Sequence, residues 1–227
     1  SDLADRCSCA RETAQRTVTA FADRGWAEKG PGSDRYRLTR AGELVAGSYD
    51  DFEECLEVSA RFRDLLANLN GAVSDLECET LSGTTRTRAT PENPHTSINR
   101  LLDVMGDREV DTLRGVTPIV SRVFNRAADR VIGPDTDAEL VVDTDVLETS
   151  AAEYPEALDR TDRLDGFTLY VSPDPVPFGL VLVDGHAYLG AYDDNGNLVA
   201  SADGDDDLVG WARQTFARIR DRSTVWE

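Results

Sequence analysis

The first 24 residues follow a helical pattern of apolar and polar positions. A short helix is expected up to Cys7, with Ser1 as its N-cap, and a second helix follows over residues 10–24. On this second helix Ala14 and Val18 recur at helical spacing and are expected to face inward. The other side presents polar side chains of the kinds that contact base edges and phosphates. These are Arg11, Thr13, Gln15, Arg16 and Thr17.

The following residues predict a β-hairpin and a further helix. Gly25 ends the second helix, and residues 26–29 and 35–38 alternate as two short strands around a turn rich in glycine and proline. Thr39 then caps a helix. Two helices followed by such a hairpin indicate a winged helix-turn-helix, a fold that binds double-stranded DNA, and the hairpin is its wing. The basic residues expected to contact DNA from the wing are Lys29, Arg35 and Arg37.

A helix-turn-helix normally has another helix before the two that are predicted here. The chain also begins with Ser1 and lacks an initiating Met. We therefore expect the sequence to be a fragment whose first helix is missing.

Residues 50–70 predict one amphipathic helix that links the N-terminal module to the rest of the chain. Its charged residues lie mostly off an apolar stripe, which could hold two copies of the chain together or bridge the domains. The same stripe could equally pack on the chain's own C-terminal domain. Its members are Phe52, Cys55, Leu56, Phe62, Leu65, Leu66 and Leu69.

Beyond residue 72, short apolar strands alternate with helices, which predicts an α/β domain with a helix-covered sheet. Strands are expected at 73–81, 138–143, 167–171, 178–183 and 186–192, with an edge strand at 198–200. Helices are expected at 96–105, 119–131 and 208–220, a polar bridge at 82–88, and loops at 89–95, 143–145 and 172–177. The predicted domains are therefore a winged helix-turn-helix at 1–47, a linker or dimerisation helix at 48–72, and an α/β effector domain at 73–227.

Charge separates the N-terminal module from the rest of the chain. The whole chain has 43 acidic and 24 basic residues and a net charge of −19, whereas its first 46 residues hold eight basic and seven acidic residues. Arginines also cluster on the outward side of the second helix and in the hairpin, which favours DNA binding over a module that only packs. Any nucleic acid is therefore expected to meet the protein at its N-terminal end.

The acidic composition, with Lys29 as the only lysine, resembles that of halophiles that keep salt in their cytoplasm. Because phosphate contacts weaken as salt rises, a regulator in such a cell needs direct base contacts and two DNA-binding modules, called reading heads below. A homodimer is therefore expected. No apolar run approaches membrane-spanning length, which predicts a soluble cytoplasmic protein that does not bind membranes.

The cysteines and the acidic run near the C-terminus give little support to a metal site, and no metal or cofactor is predicted. Cys7 and Cys9 form a single C-x-C without a second pair or a nearby His, so Cys9 is expected to be a core thiol, with a redox switch as the alternative. Residues 203–207 lack the spacing of a calcium-binding EF-hand and are expected to form a solvated acidic loop.

Four segments carry a resemblance to a known family. They are residues 25–26 (GW), 90–95 (TPENPH), 115–118 (GVTP) and 177–185 (PFGLVLVDG). Over nearly all of its length the chain resembles the archaeal winged-helix regulators that carry the methanogenesis regulatory protein middle domain. The resemblance implies transcriptional regulation through an effector domain, without a catalytic signature, and not an enzyme.

The last of these segments also resembles half of a phospholipase D fold. That superfamily uses the motif H-x-K-x-x-x-x-D at the end of a strand, with His as the nucleophile, Lys on the phosphate and Asp in an orienting role. When Asp184 is aligned with the motif's Asp, Pro177 takes the place of His and Gly179 that of Lys. Neither residue can do that chemistry, so the resemblance implies a scaffold that is kept for binding.

Three functions of the C-terminal domain remain open. It could sense a small effector, it could only dimerise, or it could be a degenerate phospholipase D-like hydrolase with residual activity. The hydrolase candidates are His95 or His186 with Asp143, Asp145 or Asp184. An effector is expected in the crevice at the carboxyl ends of the strands, where proline-stiffened loops could orient a small polar or phosphorylated molecule. The residues predicted to bind it are His95, Thr117, Arg122, Arg126, Asp143, Asp145 and Ser172.

Overall fold

The computed structural model describes residues 2–33, 35–69, 71, 73–161, 163–204 and 206–226. The chain divides into two units, residues 1–57 and 58–227, and the boundary between them falls inside a helix over Arg40–Arg61. Four expectations from the sequence concern positions outside the described residues. They are the N-cap at Ser1, Asp34 in the turn of the hairpin, the last position of the predicted helix 50–70, Asn70, and Asp205 in the predicted acidic loop.

The first unit is a winged helix-turn-helix, which confirms the fold predicted for the N-terminal module. Its elements are helix α1 (Asp2–Arg6), helix α2 (Arg11–Asp23), strand β1 (Ala27–Lys29), strand β2 (Tyr36–Leu38) and the first part of helix α3 (Arg40–Arg61). The two strands pair antiparallel, with Ala27 opposite Leu38 and Lys29 opposite Tyr36, and form the wing.

Gly25 ends α2 because it adopts a backbone conformation that other residues disfavour. Its φ is +71°. The N–H groups of Gly25 and Trp26 donate to the carbonyl oxygens of Ala22 and Phe21, both at 2.9 Å. These two bonds form a Schellman motif, which closes the last turn of α2 and directs the chain into β1.

Thr39 and Gly42 join the start of α3 to the wing. The Thr39 hydroxyl donates to the Gly25 carbonyl at 2.5 Å and accepts the N–H of Gly42 at 3.1 Å, which is the capping contact expected from the sequence. The N–H of Thr39 donates to the Trp26 carbonyl at 2.9 Å. Gly42 lies against that same carbonyl, and a Cβ at position 42 would overlap it. The first turn of α3 therefore packs on the start of the wing.

The second unit is built on one eight-stranded mixed sheet. The strands are β3 (Thr85–Arg88), β4 (Thr112–Val116), β5 (Asp137–Asp143), β6 (Phe167–Ser172), β7 (Phe178–Val183), β8 (His186–Tyr192), β9 (Leu198–Gly204) and β10 (Thr224–Val225). Their order is β10-β6-β5-β4-β7-β8-β9-β3. Strands β4, β5 and β6 are parallel, and the other neighbours pair antiparallel.

Helices cover both faces of this sheet. They are α4 (Arg63–Asn68), α5 (Cys78–Ser82), α6 (Thr96–Met105), α7 (Arg122–Val131), α8 (Thr144–Glu153), α9 (Pro155–Thr161) and α10 (Asp206–Arg220). Because successive side chains of a strand point to opposite faces, Leu140 lies towards α7, α8 and α9, whereas Val141 lies in the core under α4 and α10. The structure confirms the predicted α/β domain with a helix-covered sheet, and the phospholipase D-like relationship stays a prediction.

The most strongly patterned elements of the second unit lie where the sequence predicts them. Helix α6 and strands β7 and β8 have the expected bounds. Helix α7 begins at Arg122 and not at residue 119, because Ser121 is its N-cap and accepts the N–H of Phe124 at 3.3 Å.

Two predictions for residues 73–88 are wrong. Residues 73–77 form turns and extended chain that lead into α5, and from this segment Val73 and Leu81 bury their side chains in the core. Residues 85–88, expected to be a polar bridge, form the edge strand β3, which pairs with β9. An edge strand can keep much of its surface in water, which accommodates the alternating Thr and Arg side chains of β3.

The strand expected at the edge, 198–200, is longer and lies inside the sheet. Strand β9 runs to Gly204 between β8 and β3 and thereby includes Asp203. Asp203 is 1% exposed and accepts a hydrogen bond from Arg100 Nε at 2.8 Å. The solvated-loop prediction is therefore wrong at Asp203, whereas Asp206 and Asp207 are exposed in the first turn of α10.

The predicted helix 50–70 is two helices in the structure. Helix α3 ends at Arg61, and α4 begins at Arg63. The predicted stripe is divided as well, because Phe52, Leu56 and Leu66 are exposed whereas three later members are buried in the core of the second unit. The buried members are Phe62, Leu65 and Leu69. One of the alternatives, packing on the chain's own C-terminal domain, therefore holds for this later part.

Residues 144–161 form two helices that the hydrophobic pattern does not predict. Helix α8 begins directly after β5, and Asp143 is its N-cap, accepting the N–H of Val146 at 2.9 Å. The segment 143–145, expected to be a loop, is therefore a strand end and a helix start. Helix α9 follows after Tyr154, and both helices pack on β6.

Candidate functional site

The exposed side of α2 carries the polar residues that the sequence assigns to DNA. Ala14 is buried and Val18 is partly buried, so the inward side of the helix is the expected one. The exposed residues are Arg11, Thr13, Gln15, Arg16 and Thr17. Their contact with DNA stays a prediction.

The three basic residues predicted for the wing are also exposed. Lys29 ends β1, Arg35 lies in the turn before β2, and Arg37 lies in β2. Arg37 forms an ion pair with its cross-strand neighbour Glu28 at 2.6 Å. Arg37 would therefore have to leave or share Glu28 to contact a phosphate.

An aromatic contact ties α2 to the wing. The rings of Phe21 and Trp26 lie 5.8 Å apart between centroids at an angle of 48°. The Arg24 guanidinium lies 5.5 Å from the centroid of the Trp26 ring. Such aromatic and cation–π contacts contribute packing energy beyond the buried area, so α2 and the wing are held in one arrangement.

The second unit contains a cavity of about 170 Å³ between the sheet and helices α7, α8 and α9. Strands β4 to β8 form its floor, and the end of α6 contributes Met105. The lining is mainly aliphatic and aromatic. Examples of the lining residues are Phe124 and Ile132 in and after α7, Leu147 on α8, Leu158 on α9 and Phe167 on β6.

Two glycines of the sheet lie in the cavity lining, each in close contact with a neighbouring side chain. They are Gly115 in β4 and Gly179 in β7. A Cβ at Gly115 would lie 2.9 Å from the Leu140 side chain, and a Cβ at Gly179 would lie 3.0 Å from the Tyr192 hydroxyl. A larger side chain at either position would therefore push against Leu140 or Tyr192, which also line the cavity.

Few polar groups line the cavity. Asn125 on α7 does, and its Nδ2 is buried without a hydrogen-bond partner among the residues that the structure describes. Tyr192 on β8 also lines it, and burial alone raises the pKa of its hydroxyl. Asp129 and Arg160 form an ion pair that joins α7 to α9 within the lining. Because a buried donor without an acceptor is costly, Asn125 marks a position where a ligand atom would be stabilised.

The structure brings three of the predicted effector residues to one edge of the sheet. Thr117, Asp143 and Ser172 lie at the carboxyl ends of the neighbouring parallel strands β4, β5 and β6. Asp143 caps α8, and the Ser172 hydroxyl donates to the Asp174 carbonyl at 2.8 Å. Of the three, Thr117 lines the cavity, and its hydroxyl donates to the Ile119 carbonyl at 2.8 Å. These three hydrogen bonds are therefore local, and they stabilise the loops or helix start in which the residues lie.

The other four predicted effector residues lie outside the cavity lining. Asp145 is exposed on α8, and Arg122 and Arg126 are exposed on α7. His95 is exposed directly before α6 and follows β3, which is at the other end of the strand order from β6. A ligand contact at any of the seven stays a prediction. The sequence analysis did not identify Asn125. Its one signal in the sequence is that it is the single amide side chain of the predicted helix 119–131.

Two of the hydrolase candidates, His186 and Asp184, have structural partners. His186 Nε2 lies 3.4 Å from Asp203 Oδ2, and Arg100 also binds Asp203, whose carboxylate raises the pKa of the Arg100 guanidinium by hydrogen bonding. Asp184 Oδ1 accepts the N–H groups of Asp111 and Thr112 at 3.0 and 2.9 Å. His186 and Asp184 therefore hold strand ends together in this structure.

The remaining sequence candidates concern thiols, metals and membranes. Cys7 is exposed and Cys9 is partly buried, and both are free thiols. Within the described ranges, no three His, Cys, Asp or Glu side chains come together as a metal site. The helices of the described residues include none that is long and apolar enough to cross a membrane.

Two family models match the sequence. The model described as methanogenesis regulatory protein FilR1, middle domain, matches residues 94–222, which is more than half of the chain. The model described as the HVO_A0261 N-terminal domain matches residues 1–61. That range covers α1, α2, the wing and α3. No curated protein matches the sequence.

Two solved structures give distant matches. TrmBL2, an archaeal chromatin protein whose structure is described as showing a novel mode of DNA binding, is 12% identical, and the match covers 93% of this chain and 82% of that one with a TM-score of 0.46. Polyphosphate kinase from Porphyromonas gingivalis is 13% identical over 67% of this chain and 28% of the kinase, with a TM-score of 0.43. These TM-scores are too low to establish a shared fold.

Proposed function

The chain belongs to the family of regulatory proteins that carry the FilR1 middle domain. We propose that it is a DNA-binding transcriptional regulator and that its second unit binds a small effector that controls DNA binding. The observation that carries this proposal is the cavity of about 170 Å³ in the second unit. Protein interiors are close-packed and hold few voids larger than a water molecule. A mainly apolar cavity with a few polar groups in its lining has the character of a ligand site.

We propose that α2 and the wing form the DNA-binding surface. Arg11, Gln15 and Arg16 project from the exposed side of α2, and Arg35 is exposed in the wing. Arginine and glutamine can each form two hydrogen bonds to one base edge in the major groove, whereas basic wing residues suit phosphates. We assign base recognition to α2 and sequence-independent affinity to the wing.

We also propose that the protein is a homodimer and that α3 supplies the contact. Val45, Tyr49, Phe52 and Leu56 are exposed apolar residues on α3, and they are spaced by four, three and four positions. This is the spacing of the a and d positions of a coiled coil, which bury each other when two helices pair. A second copy of the chain would cover the stripe and place two reading heads on one DNA site.

An experiment on the full chain can separate effector sensing from a C-terminal unit that only dimerises. A duplex is selected from a random pool, and its affinity is measured by fluorescence anisotropy with a panel of neutral and anionic metabolites. The cavity-filling variant Ala128→Phe, at a position that lines the cavity, serves as the comparison. We expect at least one metabolite to change the affinity of the unmodified protein about fivefold or more, within the usual range of allosteric coupling, and to leave the variant unaffected.

The dimerisation-only alternative predicts a different outcome. In that case no metabolite changes DNA affinity, or every change is equal in the unmodified protein and in Ala128→Phe. Thermal unfolding of the variant shows whether it is folded and can be compared. Failure to recover any duplex from the pool would contradict DNA recognition itself.

A further inference from the structure

The chemistry of the cavity lining points to a class of ligand, on the basis of the proposal that the second unit binds an effector. We propose that the cavity binds a small, uncharged, mainly apolar molecule with one hydrogen-bond acceptor, such as an aryl ketone or aldehyde. Its acceptor would take the hydrogen bond of Asn125 Nδ2, which has no partner among the described residues.

The charges of the lining disfavour an anionic ligand. The charged residues of the lining are Asp129 and Arg160, and they neutralise each other in an ion pair. The Arg160 guanidinium already pairs with the Asp129 carboxylate, so an anion at Arg160 would lie close to a negative charge. Arg122 and Arg126 are exposed on α7 and do not line the cavity. A phosphorylated molecule would therefore be desolvated in the cavity next to a cation that Asp129 already neutralises.

The volume of the cavity sets the size of the ligand. A cavity of about 150 Å³ lined by aliphatic and aromatic side chains holds one benzene molecule. The present cavity, at about 170 Å³, has a similar lining and accommodates one ring with a short substituent.

The polar groups require an acceptor on the ligand. The amide nitrogen of Asn125 can only donate, and its amide is neutral, so it favours a carbonyl oxygen over a cation. Tyr192 lines the same cavity, and its hydroxyl is a second donor. A ligand that leaves Asn125 without an acceptor gives up the stabilisation that one hydrogen bond would bring.

Three probes test this ligand class on the full chain without DNA. They are acetophenone, isopropylbenzene, which replaces the carbonyl oxygen by a methyl group, and phenyl phosphate. Binding is measured by isothermal titration calorimetry. We expect acetophenone and isopropylbenzene to bind and phenyl phosphate to give no heat. The infrared carbonyl stretch of bound acetophenone is expected at a lower frequency than in hexane, because a donor weakens the C=O bond.

The variant Asn125→Leu removes the donor at similar volume. We expect the ratio of the acetophenone affinity to the isopropylbenzene affinity to fall about tenfold in this variant, the usual size of a lost hydrogen bond together with its unpaired partner. Asn99→Leu is the matched control, because Asn99 is exposed on α6 and does not line the cavity. That control should keep the ratio of the unmodified protein.

Three results would overturn the ligand class. One is phenyl phosphate that binds more tightly than acetophenone, another is an unchanged ratio in Asn125→Leu, and the third is that none of the probes binds up to its solubility. If Asn125→Leu does not fold, an unshifted carbonyl stretch in the unmodified protein has the same meaning. Because DNA is absent from these measurements, their failure leaves effector control of DNA binding to be judged by the metabolite panel.

Discussion

Gly42 lies directly against the carbonyl group of Trp26, so that the first turn of α3 packs on the start of the wing. The same carbonyl accepts the N–H of Thr39 at 2.9 Å. Because the neighbour of Gly42 is a backbone carbonyl, which cannot rotate away as a side chain would, a Cβ can enter only if α3 and the wing separate. The position of the wing therefore depends on a residue outside it.

Gly42→Ala is expected to lower both the stability of the first unit and the affinity for every DNA sequence. Overpacking against backbone costs about 1–3 kcal/mol. The matched control is Gly47→Ala in the same helix, where a Cβ meets nothing within 4 Å. That change should raise helix stability by up to about 1 kcal/mol. Chemical denaturation with Trp fluorescence measures both variants, and equal midpoints would contradict the role of Gly42.

Variants of α2 and of the wing should affect DNA binding in different ways. Arg16→Ala and Gln15→Ala are each expected to cost about 1–3 kcal/mol at the selected site and to relax the base preference, because a bidentate contact is lost. Arg35→Ala should weaken all sequences alike and reduce the salt dependence. Anisotropy titrations over a range of salt concentrations measure both effects, with Arg108→Ala in the second unit as control. Normal footprints from the two α2 variants would show that another helix reads the bases.

The buried pair of Arg100 and Asp203 is expected to be important for the second unit. Asp203→Asn keeps the side-chain volume but leaves Arg100 without its counter-charge, and breaking a buried pair costs about 3–5 kcal/mol. Because the Arg100 side chain is 35% exposed, we expect the low end of that range. Asp221→Asn is the control, since Asp221 forms an exposed pair with Arg220. Similar unfolding free energies for the two variants would contradict this role.

Charge on the α3 stripe should separate the homodimer. Phe52→Glu and Leu56→Glu place carboxylates at positions that a second helix would bury, so both variants are expected to be monomeric in analytical ultracentrifugation and to lose DNA affinity. Val123→Glu, at an exposed position of α7, is the control and should keep the mass of the unmodified protein. Monomeric unmodified protein at micromolar concentration would rule out this dimer.

Phosphodiester hydrolysis is expected to be absent. Pro177 and Gly179 occupy the places that a phospholipase D motif gives to the nucleophile and the phosphate-binding lysine. Asp184 holds the backbone of residues 111 and 112 in this structure. A sensitive assay with bis-nitrophenyl phosphate should show no release of nitrophenol above buffer. Turnover that Asp184→Asn abolishes would establish an enzyme.

Local sequence pattern predicts the helices and strands whose bounds do not depend on contacts with distant segments of the chain. Helix α6 and strands β7 and β8 are bounded by breakers and carry strong periodicity, so their limits follow from the sequence. Strand β3 is different, because its alternating Thr and Arg residues predict a polar connection. It is a strand because its backbone pairs with β9, which is distant in sequence. The hydrophobic pattern also does not predict helices α8 and α9. Their apolar residues are sparse, and they cover one end of a sheet that forms from distant segments.

Long-range partners decide the parts of the candidate sites that sequence patterns miss. Asp203 belongs to an acidic run that reads as solvated, and its partner Arg100 lies 103 positions away. The exposed face of α2 is predicted because helical periodicity is local. The cavity cannot be predicted in this way, because apolar residues such as Phe124 and Leu158 give the same sequence pattern whether they line a cavity or fill a core.

The single lysine of the chain lies at the end of β1, in the wing. An amine-reactive reagent therefore has one side-chain target, and that target sits where duplex DNA is proposed to bind. Isotope-coded acetylation followed by mass spectrometry would report how far bound DNA shields position 29 from solvent. The protein thus carries its own chemical reporter of wing occupancy, and no residue has to be introduced to install it.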